Sequence, residues 1–222
     1  MCTSSNAKRA MEWGFEQGEK ILFLPDQHLG RNTAVFDLDL NLDDCVLYDP
    51  HKPGGGLTDE QLRNARVILW RGHCSVHGRF TVDSVTEVRE RIPGVTVMVH
   101  PECQHEVVTA ADRVGSTEQI IAAVDAADPG TSWALGTELN LVRRLALAHP
   151  DKQVAFLDRA VCYCSTMNRI DLPHLVWALA HLVEGQVVNR ITVDSDTAHW
   201  ARVALERMLA LPGTPAAPAS HD

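Results

Sequence analysis

Apolar residues along this chain fall into two spacings, short continuous runs and one-sided helical periods, and the two alternate from end to end. The runs Ile21-Leu22-Phe23-Leu24, Val67-Ile68-Leu69, Val95-Thr96-Val97-Met98-Val99, Trp133-Ala134-Leu135-Gly136-Thr137, Val154-Ala155-Phe156-Leu157 and Arg190-Ile191-Thr192-Val193 each predict a short, buried strand. Helical spacing covers residues 4–20, 59–65, 82–92, 104–112, 116–127, 139–149, 172–182 and 196–211. In the third of these, Val85, Val88 and Ile92 share one face against Glu87, Arg89, Glu90 and Arg91. Helix starts carry their own chemistry: Ser4, Ser5 and Asn6 are competent caps, and Thr58-Asp59-Glu60-Gln61 has the form of a capping box. Residues 27–57 follow neither period and end in Lys52-Pro53-Gly54-Gly55-Gly56, a loop by composition. Prolines and small residues from Pro212 onward predict a disordered tail.

Strand–helix alternation predicts an α/β fold of parallel sheets with helices on both faces. In such sheets ligands gather beyond the carboxyl ends of the strands. Cys74, the His100–Glu102 segment and the Cys162/Cys164 pair all follow apolar strands, so the pattern already converges on them. A chain of 222 residues suffices for one large domain or two small ones. Its net charge of −9 argues against a general nucleic-acid binder, while leaving room for a small anion in a local site. No apolar run approaches the roughly 20 residues that span a bilayer, and Met1 to Asn6 lack a signal peptide's basic start and apolar core. A cytoplasmic protein is the expectation, with six cysteines serving as thiols or ligands more readily than as disulfides.

Cys74, in Trp70-Arg71-Gly72-His73-Cys74-Ser75-Val76-His77, reads as metal-binding, nucleophilic or merely buried. In His100-Pro101-Glu102-Cys103 an imidazole and a carboxylate stand two residues apart. In an extended segment they would face one ligand together, with Cys103 turned aside. A polar loop with a proline turn is the competing description. Gly115-Ser116-Thr117 opens a helix whose hydroxyls and N–H groups suit a carboxylate or phosphate, or simply cap it; Ser4 has the same two readings. The glycines at 54–56 lack a P-loop's lysine and spacing. The cysteines form no dense zinc or ferredoxin pattern, and Cys45 reads as core.

Taken together, seven stretches resemble the quinolinate synthase family, iron–sulfur enzymes of NAD biosynthesis. They are Thr3-Ser4-Ser5-Asn6-Ala7, Phe23 to Arg31 (Phe-Leu-Pro-Asp-Gln-His-Leu-Gly-Arg), Trp70-x-Gly72-x-Cys74-x-Val76-His77, Val99-His100-Pro101-Glu102-Cys103, Val114-Gly115-Ser116-Thr117, Gly136-Thr137-Glu138 and Cys164-x-x-Met167-x-x-Ile170. The segment between Leu29 and Trp70 resembles an insertion carried by one branch of that family.

The resemblance implies three similar α/β/α domains around a pseudo-threefold axis, with a [4Fe–4S] cluster held by one cysteine from each junction and one iron left open. On that pattern residues 1–74 are most of the second domain, 75–164 the third and 165–211 a closing segment, with the first domain missing. Cys74 and Cys164 match the second and third cluster ligands; the position of the first has no counterpart here. The implied reaction condenses iminoaspartate with dihydroxyacetone phosphate, and the open iron would act as a Lewis acid. An aspartate-oxidising enzyme is the implied partner supplying the imine. His100 and Glu102 would be catalytic, Glu102 as the proton carrier. Ser4, His100, Pro101, Glu102 and Thr117 would bind substrate. Two other descriptions fit the same residues: an inactive remnant of that enzyme, or a small zinc module using Cys74, Cys164 and a histidine such as His73 or His100. On the family pattern His73 and His77 merely flank Cys74.

Overall fold

The computed structural model describes residues 1–159 and 164–211. Two parallel sheets organise them. The first contains β1 (Ile21–Phe23), β2 (Cys45–Tyr48) and β3 (Val67–Trp70) in the order β1-β3-β2. The second contains β4 (Thr96–Val99), β5 (Arg113–Val114), β6 (Ser132–Gly136) and β7 (Gln153–Phe156) in the order β5-β4-β6-β7. Helices α1 (Ala7–Gln17), α2 (Gln27–Asn32) and α3 (Asp59–Asn64) accompany the first sheet in sequence. The second is interleaved with α4 (Val82–Arg91), α5 (His105–Ala110), α6 (Thr117–Ala126) and α7 (Leu139–Ala148). Two longer helices follow, α8 (Leu172–Val183) and α9 (Ser195–Ala210).

The period-2 side-chain alternation of a strand decides the layering. In β4, Val97 and Val99 pack with Val85 and Val88 of α4 and Val107 of α5. Met98 between them points the other way, into Ile120 and Val124 of α6 and Val142 and Leu145 of α7. The sheet is therefore buried on both faces, and its central strands have to be apolar throughout. In the first sheet Phe23, Val67 and Leu69 close on Ala7 and Met11 of α1 and Leu29 of α2. This is the α/β/α layering that the strand–helix alternation predicts.

Three differences from the sequence reading have physical causes. The strand expected at residues 190–193 is irregular, with Ile191 85% exposed. Its β-branched residues satisfy the local pattern, yet no described strand pairs with it, and a strand without a ladder leaves its backbone to water. Conversely, β2 and β5 escaped notice because each is short and draws its order from β3 and β4 through Cys45↔Val67 and Val99↔Val114 pairing. Helix α2 spans six residues, too few to show a helical period of its own. The expectations for Cys162 and for the tail from Pro212 lie outside the described residues. No helix among the described residues is long and apolar enough to cross a membrane.

Candidate functional site

Parallel strands deliver their carboxyl ends to one edge, and both sheets use that edge. After β1 the chain reaches Asp26, 8% exposed, whose carboxylate caps α2 by accepting from His28 N (2.9 Å) and Leu29 N (2.8 Å). Its other oxygen accepts the backbone N–H of Cys74 at 2.8 Å. One side chain thereby starts a helix and fixes the loop that follows β3. Gly72 is needed in that loop, because a Cβ there would meet the Pro25 carbonyl oxygen at 2.4 Å.

After β4, Cys103 N donates to the His100 carbonyl at 2.9 Å, so residues 100–103 form a turn and not the extended segment expected. Pro101, with its fixed φ, suits the second position of such a turn. Asn32, 2% exposed at the end of α2, ties this turn to the first sheet by donating to the Pro101 and Cys103 carbonyls, both at 2.8 Å. After β6, Thr137 is also buried at 2% exposure. After β5, Ser116 caps α6 in a capping box with Gln119, which leaves Thr117 exposed at the first helical position.

At the junction stands His77. Its Nδ1 lies 2.9 Å from Glu102 Oε2 and its Nε2 3.3 Å from Thr137 Oγ1. Its ring stacks on His100, with centroids 4.3 Å apart and planes 15° from parallel. Cys74 completes the group: one donor atom each from Cys74, His77 and Glu102 lie within 4.8 Å of one another.

The charges follow from these contacts. Burial alone would pull His77 down, but hydrogen bonds to Cys74 and Glu102 outweigh it and raise its pKa to about 9. The Cys74 thiol is lowered, first by the hydrogen bond from His77, against an opposing burial effect. Burial would raise Glu102, yet the His77 hydrogen bond and the neighbouring histidines hold it below the usual carboxylate range. His100 is held down to about 4, by burial first and by the His77 charge second. At neutral pH an imidazolium therefore sits beside the Glu102 carboxylate and a thiol whose pKa it lowers, with a neutral imidazole stacked on it. A half-buried carboxylate beside a proton-bearing histidine is the equipment of general acid–base chemistry.

The sequence-derived residues divide accordingly. His100, Glu102 and Cys74 converge. His77, set aside in the sequence as a mere flank, is the centre of the group, whereas His73 meets His28 edge to face at 6.0 Å. The signal available for His77 was its place three residues after Cys74 at the mouth of a strand; Thr137 and Asp26 carried none beyond following apolar runs. Ser4 lies in the turn ahead of α1, half-buried, with Asn6 at the cap position. Cys103 is buried, its sulfur directed at the Gly136 carbonyl, and burial raises its pKa. Cys45 lies in β2, with burial raising it to about 11. Cys164 precedes the turn Met167–Arg169 and is not in the Cys74 group. One thiol is gathered here, and a [4Fe–4S] cluster needs several; the described residues by themselves do not fit it.

Comparison with known proteins is consistent throughout the chain. The family model described as Quinolinate synthetase A protein matches residues 1–210. A quinolinate synthase of Streptomyces coelicolor is 70% identical over 214 residues, covering 96% of this chain and 54% of that protein. One from Nocardioides sp. is 68% identical, covering 96% and 56%, and one from Acidobacterium capsulatum is 55% identical, covering 96% and 57%. The chain thus spans about half the length of the curated relatives it matches.

Proposed function

Since the chain belongs to the quinolinate synthetase A family, we propose that it carries the acid–base portion of a quinolinate synthase, acting in the condensation of iminoaspartate with dihydroxyacetone phosphate. The observation behind this reading is the Glu102–His77 pair, 2.9 Å apart, with His100 stacked on the same imidazole. Glu102 is anionic, only partly buried and held in one orientation, so it accepts a proton from a substrate carbon and returns it to a leaving oxygen. His100, neutral at its lowered pKa, supplies a hydrogen bond without adding a second positive charge. Pro101 lines the same turn. Thr117, at the exposed start of α6, holds a substrate carboxylate through its hydroxyl and the helix N–H groups, and Ser4 holds another.

In this reading residues 1–74 and 75–164 are two of three like domains about a pseudo-threefold axis, and 165–211 close them. Cys74 and Cys164 contribute to a [4Fe–4S] cluster whose remaining thiolate comes from a stretch of family sequence that this chain does not span. The imine is supplied by an aspartate-oxidising enzyme, and the setting is the cytoplasm. No proton transfer assigned above depends on the cluster.

The test compares the chain with a version extended upstream to the length of its relatives, both assayed anaerobically for quinolinate after reconstitution with iron and sulfide. The extended protein is expected to turn over and the chain alone not to. In the extended protein Glu102→Gln should lower kcat by about 10²–10⁴. Undiminished turnover in that variant would remove Glu102 from the proton-transfer role.

A further inference from the structure

We propose that Cys74, His77 and Glu102 form a binding site for a single divalent transition-metal ion of the zinc type, independent of any cluster. The three donors are a thiol, an imidazole and a carboxylate, the mixture that a borderline ion accepts in a tetrahedral shell. On such an ion, at ligand distances of about 2.0–2.3 Å, neighbouring donors lie about 3.3–3.8 Å apart. Here His77 Nδ1 and Glu102 Oε2 are 2.9 Å apart, and all three donor atoms fall within 4.8 Å. An ion between them requires shifts of an ångström or so, well within side-chain freedom.

The surroundings match what a metal-binding histidine needs. Nδ1 faces the Glu102 carboxylate at 2.9 Å, while Nε2 is engaged by the buried Thr137 hydroxyl at 3.3 Å. A partner on the far nitrogen fixes ring orientation and tautomer. The stacked His100 ring blocks one face against rotation. The loop carrying Cys74 is pinned through its backbone N–H to Asp26, and the turn carrying Glu102 through Asn32. Each donor is thus held from behind by a different contact. Three protein donors leave a fourth position to water or to a small anionic ligand, as in open zinc sites.

Because Cys74 is common to both, an ion seated here and a cluster bound through Cys74 exclude each other. That consequence rests on the cluster reading above; the mononuclear site itself does not.

The experiment uses the full 222-residue chain, reduced and stripped with a chelator, titrated with Co²⁺ alone and then with Zn²⁺ against a chromogenic chelator. One equivalent of Co²⁺ is expected to bind, with the visible bands of tetrahedral cobalt and a near-ultraviolet thiolate-to-cobalt band. Equimolar Zn²⁺ should erase both. Cys74→Ser should abolish the thiolate band, and His77→Gln and Glu102→Gln should each weaken Zn²⁺ binding by about tenfold or more. Cys164→Ser should leave the spectrum and affinity unchanged. Far-ultraviolet circular dichroism identifies any variant that fails to fold. As a second measurement on the unmodified chain, Zn²⁺ should slow alkylation of Cys74, followed by peptide mass analysis. Octahedral cobalt spectra, a thiolate band that survives Cys74→Ser, loss of affinity in Cys164→Ser, or Cys74 alkylation indifferent to Zn²⁺ would each overturn the site. None of these readouts involves turnover, so failure here is separable from failure of the synthase reading.

Discussion

The Asp26 carboxylate accepts three backbone N–H groups, those of His28, Leu29 and Cys74, while 8% exposed. Asp26→Ala removes a helix cap and orphans the Cys74 N–H at once, and should cost about 2–3 kcal/mol. Urea unfolding checks this as a lower midpoint with an unchanged slope; a shift below a few tenths of a kcal/mol would mean that water replaces all three bonds. His100 sets a pH dependence. Its pKa is about 4 in the fold against 6.5 in an unfolded chain, so between those values the unfolded state binds more protons. The metal-free protein should therefore lose stability as pH falls from 6.5 toward 4, by about 3 kcal/mol at most from this residue, and His100→Gln should flatten the slope in that window. At this scale the sequence displayed the candidates without their relations. His100, Glu102 and Cys74 were legible as chemistry at strand ends. His77 was not, because its role consists of contacts to residues 25 and 60 positions away.

Elements were legible where their own residues decide them. α4, α6 and α7 appear close to where their apolar periods put them, since each buries one stripe against a sheet. β4 and β6 were equally plain, being without polar side chains after their first residues, Thr96 and Ser132. Segments decided by neighbours were not. Residues 190–193 have a strand's composition without a ladder, and the 100–103 segment closes into a turn under the pull of Asn32 on two of its carbonyls. The loop between β3 and Cys74 offers a test of how tightly elements hold the site. Gly72→Ala drives a methyl to 2.4 Å from a backbone oxygen, which cannot rotate away as a side chain would. It should destabilise by about 1–3 kcal/mol, seen as a lower thermal midpoint, and should weaken Co²⁺ binding by displacing Cys74. Gly18→Ala, where the added carbon meets nothing within 4 Å, is the control expected to change neither.

Over the whole molecule, order is unevenly supported. The buried residues belong to the two sheets, the helices packed on them and the loops that join them, whereas α8 and α9 contain none. Leu175, Val176, Leu179 and Leu182 of α8 are each more than half exposed. Apolar burial is what raises the cost of local opening, so amide exchange should be slowest in β3, β4 and β6 and fast throughout α8. Protection of α8 equal to that of β6 in the isolated chain would show that something covers this face in solution, and its dependence on protein concentration would identify a second copy.

What the sequence determined by itself was local and periodic: the strand–helix alternation, the parallel α/β class, the helix caps and the edge at which chemistry would collect. Those follow from side-chain periodicity and from cap and turn chemistry, which act over a few residues. Tertiary structure alone decided which residues meet at that edge. Asp26 reaching Cys74, Asn32 reaching the 100–103 turn and His77 bridging Glu102 and Thr137 all join positions distant in sequence. Such polar contacts impose no periodicity on the chain. They form because buried donors and acceptors have to be paired, and pairing partners are chosen by the packing of two sheets.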